Sequence, residues 1–138
     1  PLWMADEKAI GEHIAPKINK AAAGAGKPAP RIVAGIPVTL CANSEIDEAK
    51  DRANRILAEA ETSPNYQRLL DRGDARTVGD LCAAGDEESI LKRFKAFADA
   101  GVTDLSVRLL PIGDTRDELI ASKYRTREVI AELAKQVS

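Results

Sequence analysis

Gly85-Asp-Glu-Glu-Ser-Ile-Leu-Lys-Arg-Phe-Lys-Ala-Phe-Ala-Asp-Ala-Gly-Val-Thr-Asp-Leu-Ser-Val-Arg-Leu-Leu110 holds a helix start, a helix, a helix stop and a strand in one run. Asp86 is placed to accept from the first free N–H groups, and Glu87 and Glu88 put negative charge at the positive end of the helix dipole. Ile90, Leu91, Phe94, Phe97 and Ala98 recur at helical spacing on one face. Gly101 supplies the left-handed residue that ends the helix. From Val102 to Leu110 the period changes to two, with Leu105, Val107 and Leu109 on one side and Asp104, Ser106 and Arg108 on the other. This is the αβ half of a βαβ unit, and its strand belongs in a parallel sheet.

Working outward, Arg31 to Leu40 is a nearly unbroken apolar run, the pattern of a strand covered on both faces. Pro37 lacks the ladder N–H, so either pairing ends near it or a bulge turns the chain outward. Before that strand, Asp6 caps a helix bearing Ala9, Ile10, His13 and Ile14, which Pro16 is expected to interrupt or restart and Gly24 and Gly26 to end. After it, Ser44 and Asp47 form a capping-box pattern ahead of a stripe of Ala49, Ala53, Ile56, Leu57 and Ala60, whose small residues imply close approach to a neighbour. Ser63-Pro64 starts a shorter helix that stops at Gly73. Thr77 to Asp80 offers one more turn, and Leu81 to Ala84 fits a brief strand as well as any other form. Thr115 and Glu118 box the start of a closing helix carrying Leu119, Ile120, Tyr124, Ile130, Leu133, Ala134 and Val137.

The 138 residues suit one ordinary domain, and 44% hydrophobic with 30% charged residues is a globular composition. Twenty basic and 22 acidic residues are interleaved, which leaves no electrostatic footprint for nucleic acid or an anionic membrane. No apolar run is long enough to span a bilayer, and the first residues lack a secretory layout, so a cytoplasmic protein is expected. Cys41 and Cys82 have neither metal-ligand nor disulfide-framework spacing and read as small buried thiols. The chain opens at Pro1 directly into a helical pattern, as a piece of a longer protein would.

In α/β proteins the working end of the sheet lies beyond the carboxyl ends of the strands. Arg108, near such an end, is placed to hold a phosphate or carboxylate of a cofactor, or else to pair with a neighbouring acid. Gly85 and Asp86 open a helix whose free N–H groups suit an anion, although Asp86 competes for them as a cap. Trp3 and Met4 are placed to line a pocket for a planar substrate ring, or simply to pack. His13 has no partner at ligand spacing, and Asp114 and Arg116 fit solvent-facing loop positions. No catalytic residue, metal site, P-loop, nucleophile elbow or dinucleotide fingerprint is legible.

The succession Leu-Trp-Met-Ala5, Ile-Gly-Glu-His-Ile-Ala-Pro16, Gly-Lys-Pro-Ala-Pro-Arg-Ile-Val-Ala-Gly-Ile-Pro-Val38, Ala-Gly-Asp-Glu-Glu88 and Ala-Gly-Val-Thr-Asp104 resembles the C-terminal part of the luciferase-like monooxygenase superfamily, in the branch that uses the deazaflavin coenzyme F420. The resemblance runs through nearly the whole chain in order. It implies that residues 1–138 are a single C-terminal fragment of a (β/α)8 TIM barrel, an α/β fold incomplete as a single chain. Arg31 to Leu40 would be strand 7 and Val102 to Leu110 strand 8. The implied activity is hydride transfer between deazaflavin and an organic substrate, with an FMN-dependent monooxygenase as the alternative. The family's phosphate loop and most of its catalytic contacts would precede Pro1, so the fragment alone is expected to bind no cofactor and to be inactive. Its open strand edges would be completed by the missing N-terminal part of the barrel or by a second copy of the chain, making a homo-oligomer. A non-catalytic self-associating fragment is the remaining alternative.

Overall fold

The structure is a computed structural model that describes residues 2–3, 5–58 and 63–137. Its centre is a parallel sheet of β1 (Leu2–Trp3), β2 (Val33–Leu40), β3 (Ala83–Gly85) and β4 (Asp104–Leu109). The helices are α1 (Glu7–Ala9), α2 (Ala15–Gly24), α3 (Ile46–Ile56), α4 (Pro64–Asp71), α5 (Glu87–Asp99) and α6 (Arg116–Val137).

β2 is the middle strand, which explains its continuous apolar sequence: every residue from Ala34 to Thr39 is buried. One edge pairs with β4, from Val33 opposite Asp104 to Val38 opposite Leu109. The other edge is shared end to end by β1, opposite Ala34 and Gly35, and β3, opposite Val38 to Leu40. The two strands expected to be neighbours are neighbours. β1, β2 and β4 lie side by side in sequence order, and the three-residue β3, which falls between β2 and β4 in sequence, is added on the β1 side of β2.

This arrangement resolves the proline. The Ile32 carbonyl accepts from the Asp104 N–H at 3.3 Å, and the Val38 carbonyl accepts from the Leu110 N–H at 2.9 Å. Even-numbered residues of β2 therefore face β4, and by alternation Pro37 faces the other edge. It falls in the gap between β1 and β3, where no donor is required. Pairing neither ends at Pro37 nor bulges there.

Two apolar clusters cover the two faces of β2. Ala34, Ile36 and Val38 pack with Ile10, Ile90, Phe94, Phe97 and Leu133 on one side. On the other, Ala53, Leu57, Leu70, Val78, Leu81, Cys82 and Leu110 pack together with Trp3 against them. Close approach by α3 is real: a Cβ on Gly79 would stand 2.4 Å from the Lys50 carbonyl oxygen. The Gly79 N–H donates to Asn54 Oδ1 at 2.6 Å. Val78–Leu81 is a 3-10 turn, and the brief strand expected near Ala84 is β3.

Several local expectations need correction. Pro16 does stand at a restart, in the first turn of α2, but no loop separates the helical pieces. A π-helical turn at Ile10–Ile14 leads into α2, and the widened turn absorbs the ring near the helix start. His13 is half-buried in that turn. Ser44 does not cap α3, because a 3-10 turn at Asn43–Glu45 comes first and Glu45 Oε1 accepts from the Ala42 N–H at 3.2 Å. On α6, Ile120 and Tyr124 are exposed, at 44% and 62%, whereas Ser122 and Thr126 are buried. The hydroxyls are satisfied locally: the Ile112 N–H donates to Ser122 Oγ at 3.0 Å and Thr126 Oγ1 donates to the Ser122 carbonyl at 2.7 Å. That lets polar residues occupy the inward face.

Candidate functional site

The carboxyl ends of β2 and β3 meet in a polar cluster. Cys41 N–H donates to the Gly85 carbonyl at 2.9 Å, which ties the two strand ends together. Asn43 then bridges them: its Oδ1 accepts from the Asp86 N–H at 3.0 Å and from Ser89 Oγ at 3.2 Å, and its Nδ2 donates to Asp86 Oδ2 at 2.9 Å. Asp86 caps α5 by accepting from the Ser89 N–H at 2.9 Å. Gly85 is at φ 130°, and a Cβ there would stand 2.8 Å from Asn43 Oδ1, so only glycine fits. The Ser89 backbone and hydroxyl hold the Asp86 carboxyl below the usual carboxylate range. An anion approaching this helix start meets a carboxylate already bound to its donors. Asn43 escaped the sequence reading; its position just past the end of β2 is the signal that could have found it.

The other candidates stand apart. Arg108 is exposed, opposite Pro37 on the β4 edge, and among the described residues it has no hydrogen-bond or ion-pair partner. Gly85 lies on the far side of β2 and three residues further along it, roughly 14 Å away from two strand spacings and the strand rise. Trp3 is half-buried opposite Gly35, in the amino-terminal half of β2 rather than at its carboxyl end, with its ring where a Gly35 Cβ would be. Met4 lies outside the described residues. Asp114 and Arg116 are exposed.

Two cavities are lined by none of these side chains. An apolar slot of about 280 Å³ is walled by Phe94, Leu105, Val107, Ile130 and Val137. A charged cleft of about 420 Å³ lies beside Asp6, Glu7, Lys8, Lys50, Asp80 and Arg93. Six of its charges form three ion pairs: Lys8 with Asp74 at 2.9 Å, Lys50 with Asp80 at 3.4 Å and Arg93 with Glu7 at 2.6 Å. Burial pushes the Asp80 carboxyl up, but the Arg76 and Thr77 N–H groups and Lys50 outweigh it and leave it lowered. Among the described residues no cluster of His, Cys, Asp and Glu is placed to hold a metal ion. Within the same residues no helix is long and apolar enough to cross a membrane.

At the amino ends of β2 and β4, Arg31 forms an ion pair with Asp104, which also accepts from Thr103 Oγ1 at 2.6 Å. These hydrogen bonds pull the Asp104 carboxyl from 3.8 down to about 2. A depressed carboxylate stabilises the folded state above its unfolded value and loses that contribution as pH falls through the folded one. The acid limb of unfolding between pH 3.8 and about 2 should therefore be shallower in Asp104→Asn than in the natural chain. The effect is modest because the Arg31 side chain is 76% exposed. Superimposable acid limbs, followed by circular dichroism, would refute it.

No protein-family model and no curated protein matches the chain. Among solved structures, the coenzyme F420-dependent tetrahydromethanopterin reductase of Methanopyrus kandleri is similar to it, with a TM-score of 0.51 and 21% identity. The likeness covers 94% of this chain and 43% of that one. The chain thus shares its parallel α/β fold with part of that reductase, over less than half of that protein's length.

Proposed function

We propose that these residues are the C-terminal portion of an F420-dependent oxidoreductase of the luciferase-like type, one that exchanges a hydride between the deazaflavin and an organic substrate. The observation that carries the reading is the coincidence of two signals: an ordered sequence resemblance to this branch, and a backbone likeness to a reductase that uses the same coenzyme. The deazaflavin would supply the redox chemistry, and the protein orientation and electrostatics. Arg108, exposed near a strand end and without a partner among the described residues, is the residue of this chain best suited to an anionic group of the cofactor. Trp3, Met4 and the Gly85–Asp86 turn are weaker candidates for the surrounding wall.

The described residues do not bring together a cradle for such a cofactor. The candidate side chains do not converge, and the described cavities are an apolar slot and a cleft whose charges neutralise one another. No step of a reaction is assigned to them. The missing surface comes from a further length of polypeptide preceding the first residue, or from a second copy of the chain.

Two measurements test the reading. The isolated chain mixed with reduced F420 and an acceptor is expected to leave the coenzyme's absorbance unchanged; turnover would contradict its inactivity. The longer polypeptide that contains these residues is expected to bind F420 and not FMN in a fluorescence titration. Binding of FMN alone would favour a flavin monooxygenase, and binding of neither would remove the oxidoreductase assignment.

A further inference from the structure

Among the described residues β4 is a border strand. Its even-numbered residues turn their backbone groups toward β2, as the Asp104 and Leu110 N–H bonds to the Ile32 and Val38 carbonyls establish. By alternation Leu105, Val107 and Leu109 present N–H and C=O outward, and no described strand takes them. The side chains of Leu105 and Val107 lie on the face that α5 and α6 cover, where they wall the apolar slot of about 280 Å³ together with Phe94, Ile130 and Val137. Ser106 and Arg108, on the opposite face, are exposed. One strand thus offers both a row of unused backbone groups and an unfilled apolar wall beside it.

We infer that a strand of polypeptide preceding these residues in a longer chain pairs parallel with the outer flank of β4, and that apolar side chains from that part fill the slot. Three observations favour this occupant over a second copy of the chain. The sheet is parallel at every pairing, so a parallel newcomer continues the existing ladder, whereas a copy related by a two-fold axis would lay β4 against β4 antiparallel. The charge that could fix the register of such a copy is spent, because both Asp104 oxygens are already engaged by Arg31 and Thr103. The likeness to the reductase covers 43% of that protein, so more than half of its length has no counterpart in these residues. The alternation of β4 then specifies the newcomer: apolar residues beside Leu105 and Val107, small or polar ones beside Ser106 and Arg108. This inference rests on the reading of the chain as a portion of a longer polypeptide, and chooses the partner which that reading left open. It does not depend on which coenzyme is bound.

Amide hydrogen exchange, followed by NMR, tests it residue by residue. In the isolated chain the Ser106 and Arg108 amides, which face β2, should exchange slowly and those of Leu105, Val107 and Leu109 fast. In the longer polypeptide the three outward amides should slow by roughly a hundredfold or more, toward the rates of their inward neighbours. Val107→Pro removes one outward N–H and leaves the bonds to β2 in place. In the isolated chain its urea midpoint should stay near that of Val107→Ala, which controls for the lost side chain, whereas in the longer polypeptide it should fall well below that control. Outward amides that stay fast in the longer polypeptide, or Val107→Pro and Val107→Ala variants that unfold alike there, overturn the inference. Outward amides already slow in the isolated chain, with rates that rise on dilution, would give the edge to a second copy and overturn it too. The F420 titration of the same polypeptide is read separately: no binding with the outward amides protected removes the oxidoreductase reading and leaves this one standing.

Discussion

Asp6→Ala is expected to destabilise the chain by about 3–5 kcal/mol, a large share of the roughly 5–15 kcal/mol that holds a domain together. The side chain is only 4% exposed and accepts three backbone N–H groups. Oδ1 takes Ala9 at 2.8 Å as a helix cap, and Oδ2 takes Asp74 at 2.7 Å and Ala75 at 3.0 Å. One carboxylate thus fixes both the start of α1 and the loop after α4. Deleting it removes a cap and strands partly buried donors, each costing about 1–3 kcal/mol. Asp6→Asn retains a single acceptor oxygen and should fall between the two. Urea unfolding decides: a midpoint for Asp6→Ala within error of the natural chain would show that the loop finds other acceptors. The same carboxylate explains Gly73, where a Cβ would come within 2.1 Å of Asp6 Oδ2.

The second large effect is at Phe97. Its side chain is fully buried among Ile10, Ile90 and Phe94 against the sheet, and truncation to alanine there is expected to cost about 3–5 kcal/mol from lost transfer energy and the cavity left behind. The ring also sits under the Arg93 guanidinium, at 5.7 Å from its centroid. Arg93 in turn pairs with Glu7 and donates to the Asp80 carbonyl at 3.2 and 3.3 Å. Removal of the ring therefore loosens the charged cleft as well as the core. Phe97→Leu keeps most of the volume and should cost less than half as much in the same assay. Equal losses for Leu and Ala would locate the effect in the aromatic contact with Arg93 rather than in packing.

What the amino-acid order disclosed follows from the range of the forces involved. Asp86, Gly101 and the Thr115–Glu118 box act within a few residues, so α5, β4 and the start of α6 could be read directly. The stripe on α5 and the double-sided burial of β2 were equally plain, because each repeats over several turns or pleats. β1 and β3 are two and three residues long, too short to have a period, and exist only because β2 offers them an edge. The reach of Asp6 across to Asp74 and Ala75 has no local signature. Ser122 and Thr126 were hidden because their hydroxyls are satisfied by neighbours on and beside their own helix, which conceals their burial. The candidate site was the least legible part. Arg108 and Gly85 come from opposite edges of one strand, and Asn43 matters only once the ends of β2 and β3 are side by side.

The placement of Pro37 limits how far such a sheet can be extended. A visiting strand laid along the side that β1 and β3 occupy would have to displace both and would still find no amide hydrogen at the midpoint. That side is thus closed to a strand from outside, and among the described residues the outer flank of β4 is the one continuous template.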